Sequence, residues 1–204
     1  MILHRRSLIA LLLALVATHA APAKANDLSP QEMLRLLKAG GYTLHFRHAL
    51  TDFSKPDRDT SLGSSCGTQR NLSPEGRKQA ADLGAAIRAL NIPITEVRAG
   101  PLCRTADTAR LMFGSGFTID SDVRGGGPSE RDYPGLRGLI ATPVKSGGNV
   151  VLVGHGHQFA AVAGAAGEID EGEAAIVKGL GDGKFTIVGI VKVGDWKKMR
   201  PGAT

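Results

Sequence analysis

Four side chains, Arg47, His48, Arg104 and His155, are of the kinds that together can grip and attack a phosphoryl group. Arginine presents a planar, permanently charged fork of donors that matches phosphate oxygens. Histidine attacks phosphorus only through a neutral ring nitrogen, and neighbouring guanidinium charges favour that form by disfavouring imidazolium. The other ring nitrogen then needs an acceptor, often a backbone carbonyl, to fix the tautomer. A second histidine can donate to the phosphoryl oxygens as charge builds in the transition state. An acid must also protonate the leaving oxygen. Taken singly, each residue has a plain structural reading. Arg-His pairs arise by chance, a strand-end histidine is commonly just hydrogen-bonded, and His155 could do no more than cap its turn. Arg104 opens a helical pattern, where the macrodipole disfavours a cation. That placement fits an anion bound alongside.

What makes the four worth considering together is where the pattern puts them. Ser29-Pro30-Gln31-Glu32 reads as an N-cap, a Pro at the first helical position and a Glu completing a capping box. Met33, Leu34, Leu36 and Leu37 supply the apolar face, and Gly40-Gly41 ends the helix. Tyr42 to Phe46 is a short strand that delivers Arg47 and His48 into a polar loop, Thr51 to Ser65. Ser73-Pro74-Glu75 opens a second helix, with Ala80, Leu83, Gly84, Ile87 and Leu90 at helical spacing. A strand at Ile94 to Val97 and a helix at Arg104 to Met112 follow. Ser121 to Gly138 is rich in Gly and Pro and reads as irregular. Asn149 to Val153 is a continuous apolar strand of the buried, parallel kind, with Gly154-His155-Gly156-His157 as its exit turn. Phe159 to Ala166 is a small-residue helix. Ala174 to Val177 and Lys184 to Val193, joined through Gly181-Asp182-Gly183, read as an antiparallel hairpin. The alternation predicts an α/β three-layer sandwich: a mostly parallel sheet flanked by helices, with a C-terminal antiparallel hairpin. In such sheets ligands sit beyond the carboxyl ends of the strands. Residues 47, 104 and 155 all follow strand ends and can therefore meet.

The N-terminal stretch has a different character. His4, Arg5 and Arg6 precede an almost wholly apolar Ser7 to Ala17, and Ala23-Lys24-Ala25 follows as a cleavage site, with Thr18-His19-Ala20 as the alternative cut. This is the layout of a signal peptide over 1–25, and its apolar core is too short for a span of about 20 residues. No stable membrane anchor is then expected after cleavage. One domain, 26–204, remains, long enough to build a core unaided. Cleavage removes three cations (Arg5, Arg6 and Lys24) and no acid, taking the formal charge from +6 to +3. With no basic block and few aromatics for stacking, nucleic acid is not an expected partner; a small anionic ligand fits better. An exported chain with two cysteines, Cys66 and Cys103, favours a disulfide over two free thiols. Neither cysteine belongs to a zinc-ligand spacing. The pattern specifies no oligomeric state.

These residues resemble the histidine phosphatase superfamily, also called phosphoglycerate mutase-like. Its Arg-His-Gly motif stands here as Arg47-His48-Ala49, with Ala in place of Gly. Its Leu-(Ser/Thr)-x-x-Gly-x-x-Gln-Ala helix start is matched throughout by Leu72 to Ala80. Its Ser-Pro-x-x-Arg-(Thr/Ala)-x-x-Thr-Ala segment is matched by Gly100 to Ala109 except at Gly100, and the late Gly-His turn is Gly154-His155. Gly156 stands where the phytase and acid-phosphatase branch carries its Asp proton donor. Glu130 to Leu139 is similar instead to the mutase-branch segment Glu-Arg-His-Tyr-Gly-x-Leu-x-Gly-Leu.

The resemblance implies a phosphomonoesterase acting on a small phosphorylated substrate, with sugar phosphates among the candidates, and the leader implies that it is periplasmic or secreted. His48 would be the phosphorylated nucleophile, and Arg47, Arg104 and His155 would hold the phosphoryl group. Glu130 would be the general acid, with Asp132, Asp52 and Glu173 as alternatives. Arg70 and Asn71 precede the matched helix and could contact substrate; a solvated Arg70 is the other reading. No cofactor or metal is expected, because the arginines and His155 supply the charge. Rival readings are a non-catalytic phosphate-binding module on the same fold and a mutase-like phosphotransferase. Export separates the chain from glycolytic substrates and disfavours the mutase.

Overall fold

Three adjacent strands, buried along nearly their whole length with successive residues joining opposite cores, set the architecture. In β1 (Thr43–Arg47), Leu44 and Phe46 face one core while His45 faces another; in β4 (Asn149–Gly154), Val151 and Val153 divide from Leu152 in the same way. In β5 (Ala174–Gly181), Ala174 and Ile176 divide from Ala175 and Val177. A sheet buried on both faces needs a helical layer on each. The computed structural model describes residues 28–124 and 132–199. The leader expected over 1–25 and the Glu130 expected as acid lie outside the described residues.

The remaining elements are α1 (Pro30–Ala39), α2 (Pro74–Ala89), β2 (Ile94–Ala99), α3 (Cys103–Phe113), β3 (Thr118–Ile119), α4 (Ser121–Arg124), α5 (Pro134–Ala141), α6 (Gly156–Ala163), β6 (Lys184–Val191) and α7 (Asp195–Lys198). Strand order is β3-β2-β4-β1-β5-β6; the first four are parallel, and β5 and β6 run antiparallel at one edge. One face packs α1, α2, α3 and α7 around Leu37, Phe46, Ile87, Met112 and Trp196. The other packs α4, α5 and α6 around Val123, Ile140, Leu152 and Phe159. The expected three-layer sandwich with its C-terminal hairpin is the structure observed. Among the described residues no helix is long and apolar enough to cross a membrane.

Local signals account for most boundaries. Ser29 caps α1 with a complete capping box to Glu32, and Ser73 Oγ accepts from Gly76 N at 3.0 Å to start α2. The hairpin turns through Asp182 and Gly183 at φ of 52° and 70°, the doubly left-handed geometry of a tight hairpin. The expectation of an irregular 121–138 is corrected, because α4 and most of α5 fall there. Helix α5 begins at Pro134 after a left-handed Tyr133 (φ 42°), and Leu136 and Ile140 are fully buried. Gly135 obscures the helical period, but a Cβ there would lie 2.5 Å from Asp122 Oδ1, so the close approach of α4 and α5 requires glycine. The helix expected at 159–166 starts earlier, at Gly156, and gives way to a 3-10 turn at Gly164, where φ is 70°.

Candidate active site

Three neighbouring strand ends, β2, β4 and β1, bring the site together. His48 N donates to Gly154 O at 3.0 Å, so the nucleophile candidate is tied directly to the strand that ends in His155. Gly100 N donates to Val153 O at 3.0 Å, setting the start of α3, and hence Arg104, on the other side of β4. The His48 and His155 rings meet edge to face at 5.2 Å, and both are almost fully buried, at 2% and 3% exposure.

His48 Nδ1 lies 2.9 Å from Ala49 O. A carbonyl only accepts, so Nδ1 carries the proton and Nε2 holds the lone pair. Burial pulls the His48 pKa to about 3 against the opposing Ala49 hydrogen bond, with Arg104, Arg47 and Arg70 pushing it down further. The ring is therefore neutral at ordinary pH. His155 is held well below its usual value by burial, then by His48 and Arg104. Neither of its ring nitrogens has a partner among the described residues.

The arginines are oriented by specific acceptors. Arg104 Nη1 donates to Asp57 Oδ1 at 3.1 Å and to Arg70 O at 3.4 Å, while its buried Nε has no partner among the described residues. Burial lowers the Arg104 pKa and Asp57 opposes that; guanidinium stays charged throughout. Arg47 Nη1 donates to Ile169 O at 3.2 Å. Arg70 stacks on Phe53, 4.3 Å from the ring centroid. Its charge adds to the lowering of the His48 and Arg104 pKa values. Asn71 is turned inward: its amide donates to Cys66 O at 2.7 Å and Gln69 O at 3.1 Å.

The matched motifs work as scaffolding around His48. Gly76 allows α2 to approach the loop after β1; a Cβ there would sit 1.8 Å from Leu50 O. Gln79 Oε1 accepts from Leu50 N at 3.0 Å. Thr108 Oγ1 accepts from Ala49 N at 3.1 Å, while its own hydroxyl donates to Arg104 O at 2.7 Å. Ala49 is completely buried, so its methyl is accommodated. A Cβ on Gly156 would meet Arg47 Cδ at 2.9 Å and Ile169 O at 3.0 Å, which leaves no room for an acidic side chain there. Cys66 and Cys103 form the expected disulfide, with Cα atoms 5.7 Å apart, linking the loop that carries Asp57 to the helix that carries Arg104.

Of the alternative acids, Asp52 is occupied by Ser54 N and Oγ, and those hydrogen bonds lower its pKa, the wrong direction for a proton donor. Glu173 accepts from Asp170 N at 3.0 Å and lines a cavity of about 570 Å³ beside Arg47 and His157. Asp132 lies exposed in the turn before α5. Among the described residues no cluster of three or more His, Cys, Asp or Glu is placed to hold a metal ion.

Sequence reasoning missed Asp57, Thr51, His157 and Glu171. Asp57 and Thr51 lie in a loop without periodicity, and Glu171 lies in a polar turn; nothing local distinguishes them from solvated residues. His157 had a signal, because it sits two residues beyond His155 in the same turn. Its ring lies 5.8 Å from His155, and burial together with Arg104, Arg47 and Arg70 lowers its pKa.

Residues 44–124 match the family described as Histidine phosphatase superfamily (branch 1). That span holds Arg47, His48 and Arg104 and ends before His155. Among solved structures, the candidate phosphohistidine phosphatase SixA from Agrobacterium tumefaciens is similar with a TM-score of 0.51 and 13% identity, over 74% of this chain and 98% of that one. The protein histidine phosphatase SixA complexed with tungstate is similar with a TM-score of 0.54 and 16% identity, over 76% of this chain and 99% of that one. At such identities the likeness is one of fold. Comparison with curated proteins found no match.

Proposed function

We propose that this chain is a member of the histidine phosphatase superfamily and an exported phosphomonoesterase that works through a phosphohistidine on His48. The observation that carries the reading is the Nδ1–H bond to Ala49 O, which leaves a neutral Nε2 beside Arg47, Arg70, Arg104 and His155. The guanidinium groups and His155 hold the phosphoryl oxygens and stabilise their charge in the transition state. The Nε2 lone pair forms the N–P bond as the P–O ester bond breaks. Glu130 gives its proton to the departing oxygen, with Asp132 as the alternative. Water then attacks phosphorus, loses a proton to the acid's conjugate base, and the N–P electron pair returns to Nε2.

The substrate is a small phosphate ester, with sugar phosphates in the class. Phe53, 66% exposed and stacked on Arg70, offers a flat apolar surface at the pocket rim for the ring of a leaving group. The leader pattern and the disulfide support export to an oxidising compartment. The tungstate named with a structural relative is a tetrahedral oxyanion of phosphate shape and a suitable inhibitor probe.

Acid-quench trapping on a panel of phosphate esters tests the mechanism. Wild type is expected to release phosphate and to show phosphoenzyme. His48→Ala is expected to lose both, while Glu130→Gln retains phosphoenzyme under acidic conditions. Phosphoenzyme persisting in His48→Ala would overturn the mechanism. Phosphate binding without release from any ester would make the chain a binding module.

A further inference from the structure

A buried carboxylate lies behind the nucleophile, and the steps above leave it unused. Glu171 sits in the turn between α6 and β5 and is only 8% exposed. Both its oxygens are engaged: Oε1 accepts from Thr51 Oγ1 at 2.7 Å and Oε2 from Thr51 N at 3.2 Å. Oε1 also lies 3.7 Å from Arg47 Nη2 and 3.8 Å from His48 Nδ1. The turn itself is fastened to the end of β1. Gly172 N donates to Arg47 O at 3.2 Å and His48 O at 3.1 Å, and Glu173 O accepts from Arg47 N at 3.1 Å. Gln79 Nε2 from α2 donates to Glu171 O at 3.3 Å. Gly172 has φ of 87°, and a Cβ there would strike the Gln79 amide at 2.7 Å. The carboxylate is thus fixed by partners from the post-β1 loop and, through its backbone, from β1 and α2.

We infer that Glu171 is a positioning residue for phosphoryl transfer, whose carboxylate balances the positive charge the His48 ring acquires at Nε2 phosphorylation while holding Arg47 and Thr51 in place. The inference rests on the phosphohistidine reading. A neutral imidazole that keeps its Nδ1 proton and bonds phosphorus through Nε2 becomes a cationic ring. The other charged and titratable groups nearby offer it no counter-charge: Arg47 from β1, Arg70 from the loop before α2 and Arg104 from α3 are cations, and His155 after β4, with His157 of α6 behind it, is held neutral. Glu171 is the acid within salt-bridge distance of the ring among the described residues, and it faces the nitrogen that does not react. It therefore lies on the side of the ring away from the leaving oxygen and does not act as general acid.

The test compares wild type, Glu171→Gln, Glu171→Asp and Thr51→Val by rapid acid quench with p-nitrophenyl phosphate, following phosphoenzyme formation and decay across pH. Glu171→Gln keeps the shape and removes the charge. It is expected to slow phosphoenzyme formation roughly 10- to 100-fold while KM stays within about threefold. The alkaline limb of phosphoenzyme hydrolysis should also move to lower pH, because loss of an opposing charge lowers the pKa of the cationic ring. Glu171→Asp should recover part of the rate. Thr51→Val, which removes the hydroxyl donor and leaves the charge, should cost less than about fivefold and leave the limb in place. Wild-type formation rate and an unmoved limb in a folded Glu171→Gln would overturn the inference, as would a loss confined to KM. If phosphoenzyme persists in His48→Ala, the phosphohistidine reading fails first, independently of what Glu171 does.

Discussion

Burial does more than any single neighbour to keep His48, the proposed nucleophile, neutral. Removal from water is the largest cause of its fall to about 3, and the three arginines add to it against the Ala49 hydrogen bond. A depressed pKa means that the lone pair on Nε2 survives acidification. Once corrected for ionisation of the substrate, kcat/KM should show no break near 6.5 as pH falls from 7 to 5. A break there would place His48 at its ordinary value and show that the pocket is wetter than its geometry indicates. At this scale the sequence was informative about residues with special chemistry and silent about their supporters. Arg47, His48, Arg104 and His155 stood out by type and by position after strands. Asp57, Thr51 and Glu171 are polar residues in polar segments, and they become functional only through distances across the fold.

The disulfide joins two elements that each hold part of the proposed phosphate grip. Cys103 begins α3 immediately before Arg104, and Cys66 lies in the loop segment leading to Arg70. Closing 37 residues of chain stabilises by about 4 kcal/mol in the chain-entropy model. For a domain of this size, Cys66→Ser with Cys103→Ser should lower Tm by roughly 10 °C. The same variant should raise KM, because Asp57 and Arg104 lose their shared anchor. A Tm within a degree of wild type in calorimetry would show that the loop is ordered without the bond. Element types were largely legible because caps, Pro positions and apolar periods agreed. The exceptions share a cause. In α5, the glycine that permits contact with α4 also weakens the helical signal, and β3 is too short to show any period, with two residues paired to Arg98 and Ala99. Trp196 reads as a lone aromatic in a polar tail, yet it is 2% exposed and seals one core from α7.

Across the whole molecule, buried neutral histidines couple stability to pH. His45 stacks on Phe159 at 4.4 Å, and burial lowers its pKa from 6.5 to about 4 against an opposing backbone hydrogen bond at His155. The unfolded chain takes up a proton below 6.5 that the folded chain refuses until about 4, so His45's contribution is complete above 6.5 and is lost as pH falls. At about 1.4 kcal/mol per unit, the loss from this residue is about 3 kcal/mol. His45→Leu should flatten the fall of unfolding free energy between pH 6.5 and 4 by about that amount, read by urea denaturation. An unchanged slope in the variant would rule out His45 as the source.

The position of β1 has a consequence for how the molecule can change. It is an interior strand, paired with β4 on one edge and β5 on the other, and the proposed nucleophile follows its last residue. The pairing that orients His48 therefore belongs to the cooperative core and opens only when the whole domain does. The rim residue Phe53 instead belongs to an exposed loop whose hydrogen bonds are mostly its own. If Phe53 meets the leaving group as proposed, substitution at Phe53 itself would change which ester is admitted, whereas Thr51 and Asp57 of the same loop are tied to Glu171 and Arg104. Change in that loop is therefore free only at positions that hold nothing in the pocket, and the residues at 51 and 57 are bound to the fate of the core strand they serve.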